Sequence, residues 1–169
     1  MRSMEFGREF ELAFEQQAIG RGYFVVKHCD QSGVNGPKAP MLTGRWKGFR
    51  LPDFTLIRDG RSFWAEAKAK SYSPYFGQTG NQRQGIDLPN WRDYLQVSRL
   101  SGQPGALFFG VMTTGDILAG NFAKLERHQQ IHREPTKDFP GGAVFWPVSI
   151  LVQWGSFNLK TGQIRFEFK

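Results

Sequence analysis

The chain has 169 residues, 40% of them apolar and 15% aromatic, with 16 Phe, 5 Trp and a formal net charge of +7. That length and apolar content suit one domain with an ordinary core, and they exclude a disordered or collagen-like chain. A single cysteine, Cys29, excludes an intramolecular disulfide framework and fits a reducing, intracellular compartment.

The charge is unevenly spread. Residues 1–37 carry net −1, residues 38–70 net +5 and residues 71–169 net +3. A positive excess gathered in one middle stretch is what a polyanion-binding surface needs. The plainer alternative is a soluble basic protein with no nucleic-acid role. No apolar run approaches the roughly 18 residues of a membrane span. Met1 to Glu5 lead into an acidic helix pattern rather than the apolar core of a leader. Secretion and membrane insertion are therefore not expected, and a cytoplasmic location is.

In chain order, Glu5 to Ile19 reads as a helix, with Phe6, Phe10, Ala13, Phe14 and Ala18 on one face and Gly20 and Gly22 as stops. Tyr23 to His28 is aromatic and β-branched, which predicts a strand. Gln31 to Arg50 is rich in Gly, Pro and Lys, has no periodicity and reads as a long loop. Leu51 to Lys70 contains two strand-like runs around Asp59-Gly60, a strong hairpin signal. A loop is expected from Ser71 to Gly85, then a second helix from Asn90 to Leu100 with Trp91, Tyr94, Leu95 and Ser98 on one face. Ala106 to Met112 is almost wholly apolar, as in a strand buried on both faces. Beyond it come a short helix around Asp116 to His132 and two late strands, about Ala143–Trp154 and Gln163–Phe168. The order is α-β-β-β-α-β with a C-terminal appendix.

With Asp59 and Gly60 as the turn, Arg58 pairs with Arg61, Leu56 with Phe63, and Asp53 with Glu66. Directly opposed residues on one face have β-carbons about 4.5–5.5 Å apart, and like charges so placed repel unless a cation lies between them. Alternation puts Glu66, Lys68 and Lys70 on one face and Ala65, Ala67 and Ala69 on the other, where a helix can pack closely. Two hard carboxylates suit Mg²⁺ or Mn²⁺, ions that bind phosphate oxygens and lower the pKa of bound water. Lys68, one step beyond Glu66, is placed to orient a water or stabilise a charged phosphorus centre. The competing reading is an exposed hairpin with surface ion pairs among Asp53, Glu66 and Lys68, since so short a pattern recurs by chance.

Pro52-Asp53 followed by Glu66-Ala67-Lys68, set in this order of elements, resembles the PD-(D/E)xK nuclease superfamily over about residues 5–112. The resemblance implies a restriction-endonuclease-like α/β fold: an αβββαβ core with a mixed central sheet, here plus C-terminal strands, in a single domain spanning 1–169. It also implies that Asp53, Glu66 and the Ala67 carbonyl hold the metal, that Lys68 serves catalysis, and that Glu11 is an outer or second-metal ligand. Glu11 lies at the margin of the Phe10/Phe14 face, and a plain solvated glutamate is the alternative; Glu15 is the fallback. Gly7 to Glu11, Gly20 to Gly33 with Ser32 as the loop serine, Pro52 to Phe54 and Glu66 to Lys68 are most similar in order to Holliday-junction resolvases. The insertion from Val34 to Arg50 and the late strands depart from that pattern.

Other features weigh less. Arg45, Trp46, Lys47, Phe49 and Arg50 interleave cations and aromatics, and with Lys38 and Lys70 they could contact phosphates and stack on bases; a loop packed on the domain is the alternative. Gln82, Arg83 and Gln84 either reach a phosphate or base edge or belong to a solvated loop. Trp91 and Tyr94 read as core residues. His128 and His132 have the i, i+4 spacing of zinc ligands but lack the glutamate and third ligand, so they read as surface histidines; Cys29 reads as a small apolar filler.

The residues and the resemblance together lead to a Mg²⁺- or Mn²⁺-dependent deoxyribonuclease, an endonuclease of branched or repair and recombination intermediates. RNA stays open as substrate, and symmetric cutting of two strands would favour a homodimer. The rival is a nuclease-fold binding or interaction module without chemistry, whose DNA affinity would not depend on divalent metal.

Overall fold

Helix α1 (Ser3–Gly20) turns its apolar stripe inward, burying Phe10, Ala13, Phe14 and Ala18 as the helical spacing predicts. The computed structural model describes residues 3–28, 40–45, 47–70 and 82–156. After α1 come β1 (Phe24–Lys27) and a small hairpin, β2 (Met41–Thr43) with β3 (Gly48–Arg50). Next are β4 (Phe54–Arg58), β5 (Arg61–Lys70), β6 (Arg83–Asp87) and α2 (Leu88–Ser101). Strands β7 (Gly105–Val111) and β8 (Asp116–Asn121), helix α3 (Phe122–Arg127), and strands β9 (Gln130–His132) and β10 (Ala143–Pro147) follow. A single 3₁₀ turn at Val148–Ile150 leads into β11 (Val152–Ser156).

Six strands form one mixed sheet in the order β1-β4-β5-β7-β8-β11. Only β5 and β7 run parallel, because α2 carries the chain back across the sheet between them. Asp59 and Gly60 both have positive φ, 52° and 69°, so the two-residue turn matches the right-handed twist of β4 and β5. The register is then set: Phe54 opposes Ala65, Leu56 opposes Phe63, and Arg58 opposes Arg61.

One face of the sheet packs against α1. Phe10, Phe14 and Ala18 meet Phe54, Leu56, Ala65, Ala67 and Phe108, and the small side chains of β5 let the helix approach. The fit is tight at Gly110, where a β-carbon would run into the Phe10 ring. The other face is covered by α2 and by a second, three-stranded sheet in the order β6-β10-β9. Trp64, Leu107 and Phe109 pack there with Trp91, Tyr94, Val97, Val144 and Trp146. No helix among the described residues is long and apolar enough to cross a membrane.

The structure departs from the sequence reading in five places. Part of the loop expected over 31–50 is the β2–β3 hairpin. The end of the loop expected over 71–85 is β6, paired with β10. The second helix begins at Leu88 rather than Asn90, with Pro89 in its first turn, where a missing N–H costs nothing. The helix expected over 116–132 is instead β8, α3 and β9. Ile117 and Ala119 are buried at strand spacing, and the Asn121 side chain caps α3 by accepting from the Lys124 N–H at 2.8 Å. His128 therefore sits at the C-terminus of α3 and His132 on β9, so their i, i+4 spacing has no helical meaning. The strand expected over 143–154 is interrupted by the 3₁₀ turn at Val148–Ile150, and its halves join different sheets. Cys29, Ser32, Lys38, Trp46 and the strand expected over 163–168 lie outside the described residues.

Candidate active site

The hairpin brings two carboxylates together at the mouth of β4 and β5. The Asp53 backbone N–H donates to Glu66 Oε2 at 2.9 Å, and the Ala67 N–H donates to Asp53 Oδ2 at 3.3 Å. Each carboxylate is thus fixed by the other residue's strand. The Glu66 side chain is 0% exposed. A buried carboxylate is tolerable only when its oxygens are satisfied, and Glu66 Oε1 accepts from the Tyr94 hydroxyl at 2.6 Å and faces Lys68 Nζ at 2.5 Å.

Electrostatics mark Asp53 as the strained member. Burial, then the like charge of Glu66, push its carboxyl up to about 8, against the opposing pull of Lys68. Burial alone would favour a neutral Lys68, but Glu66 and Asp53 outweigh it and raise the ammonium above its usual range. Lys68 is therefore charged at neutral pH. Burial and Glu66 raise the Tyr94 phenol well above its usual value, so it stays a neutral donor.

Glu11 extends from α1 toward the same region. Its carboxylate is 15% exposed and lies 3.7 Å from Lys27 Nζ on β1. Burial raises its pKa, with Lys27 and Lys68 opposing and Glu66 adding to the rise. It is therefore not a freely solvated helix glutamate. It also stands back from Asp53 and Glu66: among the described residues, no three His, Cys, Asp or Glu side chains gather closely enough to hold a metal ion.

Two residues belong to the site that the sequence reading did not assign to it. From sequence Tyr94 reads only as core; it is core, and its hydroxyl is also a donor to Glu66. A buried tyrosine usually finds a partner for its hydroxyl, and that was the available signal. His28 donates its backbone N–H to the Asp53 carbonyl at 2.8 Å, and its ring Nε2 lies 2.8 Å from Thr55 Oγ1. Burial lowers the His28 pKa, and the ring rests 5.4 Å from that of Trp64. A lone histidine at a strand end carries no sequence signal.

The basic residues are scattered by comparison. The Arg50 backbone N–H donates to Asp93 Oδ2 at 3.1 Å and its Nη1 to Asn90 Oδ1 at 2.8 Å, which ties the β2–β3 hairpin to α2. Arg45 and Lys47 are exposed, with Lys47 Nζ 4.9 Å above the Phe49 ring. Lys70 ends β5, and its side chain is outside the described residues. Gln82 is exposed and Arg83 half-buried at the start of β6. Gln84 corrects the sequence reading: it is 0% exposed and cannot reach a phosphate or base while β6 stays paired.

The metal implied by the resemblance can be tested against these groups. Three partly or wholly buried carboxylates, Glu11, Asp53 and Glu66, face two ammonium groups, Lys27 and Lys68. With all three ionised, one negative charge would exceed the two ammonium groups; in the metal-free chain, burial and then the charge of Glu66 keep a proton on Asp53 to about pH 8 instead. Hard oxygen donors with an excess negative charge fit a divalent cation such as Mg²⁺ or Mn²⁺.

A mixed sheet with α1 on one face, the carboxylate hairpin in its middle and α2 crossing to a parallel β7 is the restriction-endonuclease-like α/β fold, an αβββαβ core with added C-terminal strands. Among solved structures, the chain is similar to the Holliday junction resolvase Hjc from the archaeal hyperthermophile Archaeoglobus fulgidus. The TM-score is 0.53 with 10% identity, covering 88% of this chain and 91% of that one. At that identity the likeness is one of fold. No protein-family model matches the chain, and no curated protein matches it in sequence.

Proposed function

We propose that this protein is a Mg²⁺- or Mn²⁺-dependent nuclease that hydrolyses DNA phosphodiester bonds. The observation that carries the reading is the opposed Asp53–Glu66 pair, clamped through backbone amides and accompanied by one charged lysine. A surface built only to bind a polyanion gains nothing from two desolvated carboxylates. The likeness of fold to a Holliday junction resolvase supports branched, recombination or repair intermediates as the substrate class.

In this reading Asp53, Glu66 and the Ala67 carbonyl hold the cation, and Glu11 supports it from outside. When bound, such an ion acidifies a coordinated water and offsets charge on the scissile phosphate. The remaining work falls to the chain. Tyr94 and the Asp53 N–H fix the Glu66 carboxylate in one orientation, and the His28 N–H anchors the backbone of Asp53. Lys68 is charged and has no lone pair, so it is not a general base. It orients a water by donating to the water oxygen, or stabilises negative charge gathering on the phosphate. Arg45, Lys47 and Arg50 are the described basic residues that would meet the DNA backbone, with Lys38, Trp46 and Lys70 as further contacts. We take the chain to act as a single domain, in the cytoplasm, with a homodimer as the form that cuts two strands symmetrically.

The test is cleavage of end-labelled single-stranded, duplex, branched and RNA substrates by the full chain with Mg²⁺, with Mn²⁺ and with chelator. Metal-dependent cutting, best on a branched DNA, is expected. DNA binding that is unaffected by metal, with no cutting of any substrate, would favour the binding module instead.

A further inference from the structure

The β4–β5 hairpin also sets like charges side by side at its other end. Arg58 and Arg61 are direct cross-strand partners flanking the turn, and such a pair repels unless a group of opposite charge lies between. Together with Tyr23, Asp59 and Phe63 they line a surface cavity of about 440 Å³. The Tyr23 and Phe63 rings meet edge to face at 5.7 Å and form its apolar wall.

The two arginines are held differently. The Arg58 guanidinium lies 4.3 Å over the Tyr23 ring, its Nη1 donates to the Arg21 carbonyl at 3.2 Å, and its Nε lies 3.4 Å from Asp59 Oδ2. The Arg61 side chain is exposed, and among the described residues no hydrogen bond or ion pair holds it. Asp59, 85% exposed, is the single carboxylate lining the cavity, so one positive charge is in excess there.

We propose that this cavity binds a phosphate group, as a mono- or diester. Arg58 is the fixed arm and Arg61 the free one, and planar guanidinium groups match phosphate oxygens with paired donors. The Tyr23–Phe63 wall takes the apolar part of the ligand. The cavity is distinct from the carboxylate site. Strand alternation puts Arg61 and Phe63 on the α1 face with Ala65 and Ala67, whereas Glu66 and Lys68 point to the other. The strand from Arg61 to Glu66 spans about 17 Å. The inference therefore does not depend on nuclease activity.

The test uses the full chain in low-salt buffer with chelator, so that metal at Asp53 and Glu66 cannot contribute. Inorganic phosphate, deoxyadenosine monophosphate and a short blunt DNA duplex are titrated while the backbone amide signals of Tyr23, Asp59, Gly60 and Arg61 are followed by NMR. Saturable shifts at these amides are expected with at least one titrant, and Arg61→Ala, at an exposed position, should weaken that binding by about tenfold. Saturation by phosphate and the mononucleotide would identify a free phosphate ligand; saturation by the duplex alone would identify a nucleic-acid backbone. The proposal is overturned if no titrant moves these signals, or if Arg61→Ala binds as tightly as the wild type.

Discussion

Replacing Asp53 with asparagine should stabilise the metal-free protein, by an amount that grows with pH. In the folded chain the Asp53 carboxyl holds its proton up to about pH 8, whereas its ordinary value is 3.8. Below the unfolded value both states are protonated and the residue costs nothing. As pH rises from there toward the folded value, the unfolded chain releases a proton that the folded chain retains, so stability falls across that window. At pH 7 the displacement is worth at most about 4 kcal/mol. Solvent at this half-buried position screens it to about 2 kcal/mol. The uncharged amide would remove this penalty and still offer an oxygen to the Ala67 N–H. Urea unfolding of wild type and Asp53→Asn in chelator, run at intervals from pH 4 to pH 8, measures the difference, because carboxylates outside the coupled Asp53, Glu66 and Glu11 group cancel. The variant should match the wild type at acid pH and exceed it by about 2 kcal/mol near pH 8, or roughly 4–8 °C in Tm. If Asp53→Asn is equal or less stable throughout, Asp53 is not a desolvated, uncompensated carboxylate and the electrostatic argument fails.

Further outcomes follow from the same geometry. Mg²⁺ or Mn²⁺ should displace the proton from Asp53, so below pH 8 its affinity should rise with pH by up to about tenfold per unit; calorimetry showing no such rise would contradict this. Tyr94→Phe leaves the buried Glu66 one donor short and should cost about 1–3 kcal/mol in denaturant unfolding; an unchanged midpoint would show that the hydrogen bond contributes nothing. Gly110→Ala places a methyl group in the Phe10 ring and should cost about 1–3 kcal/mol by the same assay, while a neutral result would mean that α1 can shift freely.

What could be read from the sequence was whatever local chemistry dictates. A two-residue Asp-Gly turn sets the register that ends at Phe54 opposite Ala65, and that register brings the next residue, Asp53, to Glu66 and puts the alanines of β5 under α1. What stayed hidden depends on distant partners. The β2 and β3 strands are three residues each, too short for a period to show. Strand β6, Arg83-Gln84-Gly85-Ile86-Asp87, looks like a polar loop, yet Gly85 is where the Phe145 ring lies against it. Asp116 to His132 contains residues of good helix propensity, but pairing with β7 overrides them in its first part. Tyr94 was legible as core and not as a hydrogen-bond donor, because the partner of its hydroxyl lies 28 residues away on β5. Sequence shows which residues are chemically able. Tertiary contacts decide which of them meet.

The central claim is that Asp53, Glu66 and Lys68 act together on a phosphodiester. The most direct measurement is single-turnover cleavage of the best-cut DNA substrate, in Mn²⁺, by wild type, Asp53→Asn and Lys68→Ala proteins whose folding has been verified by their unfolding curves. The account predicts that the wild type cuts only with metal, and that each variant loses at least about a hundredfold in rate, the scale of removing a positioned charge from a transition state. A folded Asp53→Asn or Lys68→Ala protein that cuts at the wild-type rate would contradict it.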